Sequence, residues 1–484
     1  MPNLLAARAQ MGTSLAFHII FAALGVGVPF LAFTAEGIGI LKKDRTWYTL
    51  AKRWGKAFGI LYAIGAVSGT ILSFELGLLW PTFMKFSGSI IGLPFALEAF
   101  AFFLEAIFLA VYIFGWDKLP PIWHWLSSVP LWVGGFLSSI FVVSANAWMN
   151  TPTGFQYKNG KLSGIDPIAA MLNPSALSET MHMTFAAYAA TGAGVAAIYA
   201  IALLRGKQDT YNRRGLLLGM GMSLIGMVAT GYFGDMNGQV VAKYQPAKYA
   251  AMEGLFHTTR GAPETILGFP NPATMHTYFA IKIDGLGAWL AFRNQDATVK
   301  GLDAFPRDQW PVTSVIHWTF DIMVGIGFLA IFFGLYFWFR YLFKRGNVFE
   351  SKLILWGAAA IGPLAFLAIE LGWMTTEMGR QPWVVYGYVL TKDAVTPAPA
   401  LDISFLIFSC IYVALAIATI IFLLRLRRME TDEETQPHAP HDTGHDTGHD
   451  VSEHRRDGRR RGMRPAIQPG SAHASGLLPS DGGA

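Results

Sequence analysis

The sequence predicts an all-α, polytopic membrane protein with about nine transmembrane helices. Three observations predict it. Hydrophobic residues make up 53% of the 484 residues and charged residues 14%, whereas a soluble domain carries about 25% charged residues. Nine apolar runs reach the roughly 20 residues that cross about 30 Å of hydrocarbon as a helix. Lys and Arg concentrate in alternate connections between those runs. The same composition excludes most soluble enzymes and any nucleic-acid binder, although the net charge is +5. The single cysteine, Cys410, excludes an internal disulfide framework, a Cys-ligated iron–sulfur cluster and a Cys-rich zinc site.

The runs are expected at 11–41, 57–84, 91–115, 122–148, 180–204, 215–234, 312–342, 353–374 and 401–426. Only Arg8 precedes the first, and no small-residue cleavage site follows it, so it is expected to be retained and not removed as a signal peptide. This divides the chain into transmembrane helices 1–6 (1–234), a long loop (235–311), helices 7–9 (312–430) and a tail (431–484). The basic connections are Lys42 to Lys56, Arg205 to Arg214, Arg340 to Lys352 and the end of the ninth span at Arg425, Arg427 and Arg428. They place the N-terminus and the long loop outside and the C-terminus in the cytoplasm. The loop is long enough to need its own structure or a function. The tail repeats HDTGHDTGHD and lacks apolar periodicity, so it is expected to be a disordered, His-rich, solvated segment.

Ionisable groups at membrane depth are costly and mark function by default. His18, His124, His182 and His317 lie in or beside spans. No two share a helix at the spacing that stacks two hemes, and no cluster could hold copper. Any heme would therefore pair most histidines with another ligand type. His18, His182, Met323, Glu377, Glu98 and Glu105 are all expected in the outer half of their spans, beside the loop. Glu98 and Glu105 are two helical turns apart and share a side of span 3, a pattern suited to a proton path. Met323 alone would be a filler side chain. His124 follows Pro120-Pro121 at a span edge and is expected at the surface.

Several segments resemble one family. EMGRQPW (Glu377 to Trp383), AIELGW (Ala368 to Trp373), RWGKAFGI (Arg53 to Ile60), ALEAFAFFLEAIF around the two glutamates, FGWDKL (Phe114 to Leu119) and SANAWM (Ser144 to Met149) occur in the order seen in subunit I of cytochrome bd quinol oxidases. The resemblance covers almost all of residues 1–430. It implies a copper-free oxidase in a bacterial cytoplasmic membrane that takes electrons from quinol at the outer face. Oxygen is reduced to water with cytoplasmic protons, for which Glu98 and Glu105 are the candidate last carriers.

The implied cofactors are heme b558, heme b595 and heme d. His182 in ETMHMTF and Met323 in DIMVGIGF match the ligands of heme b558, a pairing whose thioether raises the potential. His18 in AFHII and Glu377 match the groups at the two high-spin hemes, in an order left open. Arg8 and Arg380 resemble positive residues that offset propionate charge, and Trp373 an aromatic between hemes. In QPAKYAAMEG, Lys248 and Glu253 match the quinol-binding Q-loop, here a short form, as hydrogen-bond donor and proton acceptor. A solvated loop with ordinary charges is the alternative on the residues alone. Asp321 departs from members that carry arginine there, and would lower the potential of a nearby heme. Implied partners are subunit II, membrane lipid, quinol and O2, with a small single-helix subunit as a further candidate. Two other functions fit the membrane carboxylates and histidines: a transporter without cofactor, and a heme-bearing quinone reductase that does not use oxygen.

Overall fold

The computed structural model describes residues 2–343 and 347–435. The chain divides into a unit Met1–Thr431 and a unit Asp432–Ala484. The His-rich repeat of the tail lies outside the described residues.

The first unit begins with four long helices: α1 (Asn3–Lys42), α2 (Arg45–Leu79), α3 (Pro81–Phe114) and α4 (Pro121–Asn150). A small hairpin, β1 (Gln156–Lys158) and β2 (Lys161–Ser163), and the short α5 (Pro167–Met171) lead to α6 (Ala176–Leu204) and α7 (Thr210–Tyr244). The long loop holds α8 (Pro246–Met252), strands β3 (Thr259–Arg260), β4 (Glu264–Ile266), β5 (Phe269–Asn271), β6 (His276–Tyr278) and β7 (Ile281–Ile283), then α9 (Leu286–Phe292) and β8 (Thr298–Val299). The bundle resumes with α10 (Thr313–Phe343), α11 (Asn347–Glu350) and α12 (Lys352–Gly379). Strands β9 (Trp383–Val385) and β10 (Val389–Leu390), α13 (Thr391–Ala394) and α14 (Leu401–Thr435) follow. Among the described residues, 9 helices are long and apolar enough to cross a membrane, as the sequence predicts.

Local chemistry explains the breaks. Lys43 closes α1 in the left-handed conformation at φ 50°, and Asp44 then caps α2 by accepting the Thr46 N–H. Pro81 and Pro121 occupy first-turn positions of α3 and α4, where a missing N–H costs nothing. Asp209 caps α7 and Ser351 caps α12. Helices α6 and α7 meet along small residues. A Cβ on Gly192 would lie 2.6 Å from the Ser223 nitrogen, and one on Gly219 2.7 Å from the Ala196 nitrogen. Lipid gives helices no hydrophobic reason to associate, so such close backbone approach supplies the packing energy.

The long loop is structured. Its strands pair antiparallel and nest, β3 with β8 outside β4 with β7 outside β5 with β6. Two boundaries differ from the sequence expectation. Helix α7 continues ten residues past 234, because Asp235, Asn237 and Gln239 lower the hydropathy without breaking the helix. Asp235 is instead held by the Arg293 guanidinium from the end of α9. Helix α3 starts at Pro81, ten residues early, so Glu98 is the eighteenth and Glu105 the twenty-fifth of its 34 residues. Glu98 thus sits at mid-helix and Glu105 beyond it, away from the loop, which corrects the expectation that both occupy the half nearer the loop.

His124 is also corrected. It is 2% exposed, not a surface residue. Its Nδ1 lies 2.6 Å from Glu36 Oε1 and its Nε2 donates toward the Tyr112 carbonyl at 3.0 Å. The two prolines bring the first turn of α4 under α1 and α3, and the buried Glu36 supplies the partner that sequence spacing does not reveal.

Candidate active site

A cavity of about 400 Å³ lies where the long loop meets the bundle. His182, Met323, Trp373, Lys248 and Glu253 all line it, so the structure brings together five of the residues singled out above. They come from α6, α10, α12, α8 and the residue that ends α8.

The His182 ring is fixed through Nδ1, 3.0 Å from the Thr230 carbonyl of α7, which directs Nε2 elsewhere for a ligand. Gly234 makes room for it, since a Cβ there would fall 3.0 Å from His182 Cε1. Met323 has a similar allowance. A Cβ on Gly372 would lie 2.9 Å from its Sδ. Trp373, next to that glycine, keeps a buried indole nitrogen without a hydrogen-bond partner among the described residues.

Lys248 and Glu253 are not the solvated loop charges of the alternative reading. They are 4% and 3% exposed. The Lys248 amine donates to the Thr376 carbonyl at 3.4 Å and to Gln245 Oε1 at 3.5 Å, and its stem passes over Gly379. Burial pushes the ammonium down to about 8, opposed by the Glu179 carboxylate. Burial and then the charge of Glu264 push the Glu253 carboxyl well above the usual carboxylate range.

Arg380 is 1% exposed and donates to Asn150 Oδ1 at 3.0 Å and to Glu377 Oε2. The other Glu377 oxygen accepts a short hydrogen bond from Asn146, which itself lines the cavity. Asn150 continues the network to Glu179, at 3.0 Å to both carboxylate oxygens, and accepts from Gln245 at 3.2 Å. This network ties the GRQPW segment to α8. Sequence reasoning missed Glu179, Asn150 and Glu264. Glu179 had a signal, since it is three residues before His182 and therefore on the same helix side. Glu264 had none, being one more polar residue in a polar loop.

The remaining candidates lie apart from this cavity. His18 Nδ1 is 2.9 Å from Ser68 Oγ of α2, and a Cβ on Gly69 would fall 3.0 Å from its Cε1. Glu98 accepts from Ser138 at 3.2 Å, and Glu105 has a buried Oε1 with no hydrogen-bond partner among the described residues. Arg8 is exposed near the start of α1. Asp321 does not line the cavity. It accepts the Leu267 N–H at 2.5 Å and lies 3.6 Å from His317 Nε2, so it anchors the loop and its charge has local partners.

The fold and site define a polytopic helical membrane protein in which an imidazole and a thioether side chain, His182 and Met323, line one largely apolar cavity. A family model described as cytochrome bd terminal oxidase subunit I matches residues 6–431, and the chain belongs to that family. Two proteins of Bacillus subtilis (strain 168) are similar over most of their length. One, named as a menaquinol oxidase subunit I, is 37% identical over 441 residues, 90% of this chain and 99% of the relative. The other, a cytochrome bd ubiquinol oxidase subunit 1, is 33% identical over 460 residues, 91% and 96% of the two chains. The bd oxidase structure from Geobacillus thermodenitrificans superposes with a TM-score of 0.84 at 38% identity, covering 88% of this chain and 98% of that one.

The protein is thus a heme-bearing subunit of a terminal quinol oxidase. The residues present fit such a group. Of the four candidate ligand side chains, His182, Met323 and His18 each face a glycine whose Cβ would crowd it, and both histidines are held at Nδ1.

Proposed function

We propose that quinol is oxidised in the cavity beside His182 and Met323, with Lys248 and Glu253 as the groups that meet it. The observation that carries this reading is the burial of both loop residues in the wall that also bears the His/Met pair. Lys248 donates to one quinol oxygen and Glu253 takes a proton, each within the reach of about 2.6–3.2 Å that proton transfer requires.

In this reading His182 and Met323 hold heme b558, while His18 and Glu377 serve heme b595 and heme d. When bound, these groups supply one-electron transfer and the reduction of oxygen. Arg380 and Arg8 offset propionate charge, and Trp373 places an aromatic ring between the sites. Arg380 and Asn146 each engage one oxygen of Glu377, which orients the carboxylate and leaves it a free lone pair for iron. Glu98 and Glu105 hold protons on their way from the cytoplasm. The N-terminus and the loop face outward, the C-terminus inward, in a bacterial cytoplasmic membrane. Subunit II covers part of the exposed apolar surface, with a small single-helix subunit as a further partner.

The test is an absorption spectrum of the purified complex, followed by quinol-driven oxygen uptake in Lys248→Ala and Glu253→Gln. The reading expects low-spin b and red chlorin bands, slowed quinol turnover and an unchanged oxygen reaction after dithionite reduction. Equal loss of both reactions, or of neither, would remove the loop from the quinol site.

A further inference from the structure

Glu253 accepts the N–H of Thr265, the residue after Glu264, at 3.4 Å, so the two glutamates are held in one enclosed corner of the loop. Two ionised carboxylates in one buried site repel each other, and neither has a hydrogen to donate to the other. A single proton shared by the two removes both problems. Both residues line the cavity that holds Lys248, His182 and Met323. Glu253 is deeply buried. Glu264, on β4, is less buried, and its strand pairs with β7, whose three residues are all exposed. Its Oε2 is nevertheless enclosed and has no partner among the described residues.

The surroundings keep the two segments in register. His317 of α10 is fully buried, with Nδ1 2.7 Å from the Met252 carbonyl and Nε2 2.9 Å from the Leu267 carbonyl. The contact with Met252 holds the residue before Glu253, and the contact with Leu267 holds the turn three residues after Glu264. Asp321 lies 3.6 Å from the same ring. The remaining titratable neighbour, Tyr249 of α8, donates its hydroxyl to the Gly287 carbonyl at 3.0 Å.

We propose that Glu264 is the second carboxyl of a proton-sharing pair with Glu253, and that each proton leaving quinol passes through this pair toward the loop surface. The proposal rests on the reading of Lys248 and Glu253 as the quinol site. Quinol becomes quinone by losing two protons and two electrons. The electrons leave through the oxidase reaction. For each of the two protons in turn, a quinol O–H bond breaks and an O–H bond forms on the ionised carboxylate of the pair, leaving both carboxyls protonated. Release of one proton from Glu264 to solvent restores the shared state. A lone Glu253 would have to release its proton from a buried position, so the pair provides the exit.

The experiment compares Glu264→Gln, Glu264→Asp and Glu253→Gln in the intact oxidase complex. Glu264→Gln keeps shape and a hydrogen-bond donor but cannot relay a proton. Its quinol-driven kcat should fall about tenfold or more, against the 10²–10⁴-fold typical of a lost acid–base group. KM should stay within about twofold, the solvent deuterium isotope effect should rise, and the heme spectrum should be unchanged. Glu264→Asp should recover part of kcat. The redox-induced infrared difference spectrum should lose a protonated-carboxyl band in both Gln variants. Wild-type turnover and an unchanged carboxyl band in Glu264→Gln, with Glu253→Gln impaired, would overturn the pair while leaving the quinol site standing. Wild-type quinol turnover in Glu253→Gln and Lys248→Ala as well would overturn the underlying site.

Discussion

The side chain of Lys248 lies across Gly379. A Cβ on that glycine would fall 2.9 Å from Lys248 Cγ and 3.0 Å from its Cε. The first residue of GRQPW is therefore small because a buried lysine from another segment occupies its space. Gly379→Ala should displace Lys248 and raise the KM for quinol severalfold, with the oxygen reaction of the dithionite-reduced enzyme retained. Steady-state kinetics at varied quinol concentration check this, and an unchanged KM would show that the lysine can yield without consequence.

Met323 and Gly372 form a second packed pair, with only 2.9 Å between Sδ and a Cβ at 372. Met323→Leu should turn the low-spin b signal high-spin or diminish it, while the red chlorin band survives. Gly372→Ala should shift the same signal by pushing the thioether, and should leave the His18 site alone. Optical and electron paramagnetic resonance spectra distinguish these outcomes; a wild-type low-spin signal in Met323→Leu would remove that ligand.

Glu105 is buried with a carboxyl oxygen that has no hydrogen-bond partner among the described residues, a costly arrangement that marks the group for function. Glu105→Gln should retain heme content and lower oxygen consumption by about tenfold or more, equivalent to roughly 1.4 kcal/mol of barrier. Normal consumption at normal heme content would assign this residue to packing.

Lys248 provides the pH dependence. Burial lowers its ammonium to about 8, so the group is charged below that value and neutral above it. As the cationic donor to a quinol oxygen, it should support turnover at neutral pH and lose effect as pH rises through about 8. Lys248→Arg keeps the charge at every accessible pH. The alkaline limb of the quinol-driven pH profile should move upward in that variant, and an identical limb in both proteins would refute the role.

Much of this protein was legible in the sequence, because a bilayer imposes one demand on the whole chain. Backbone polar groups must be satisfied within each segment, so apolar runs of sufficient length become helices wherever they occur. The nine spans follow from that demand, and the quoted motifs sufficed for the family. Helix ends were less legible. Asp235 to Lys243 stay helical through tertiary contacts that hydropathy does not register, and Pro81 starts α3 well before its apolar run.

What only the tertiary structure decided is which polar groups meet. Lys248 and Glu253 look like loop charges in sequence, yet folding of the loop against α10 and α12 buries both. Glu36 and His124 are 88 residues apart, and Glu264 and Glu253 belong to different turns of a polar loop. Pairing between distant residues carries no local periodicity, so composition and spacing cannot signal it. The cost of leaving a buried charge or donor unsatisfied acts only once the segments have packed, and that cost selects the partners.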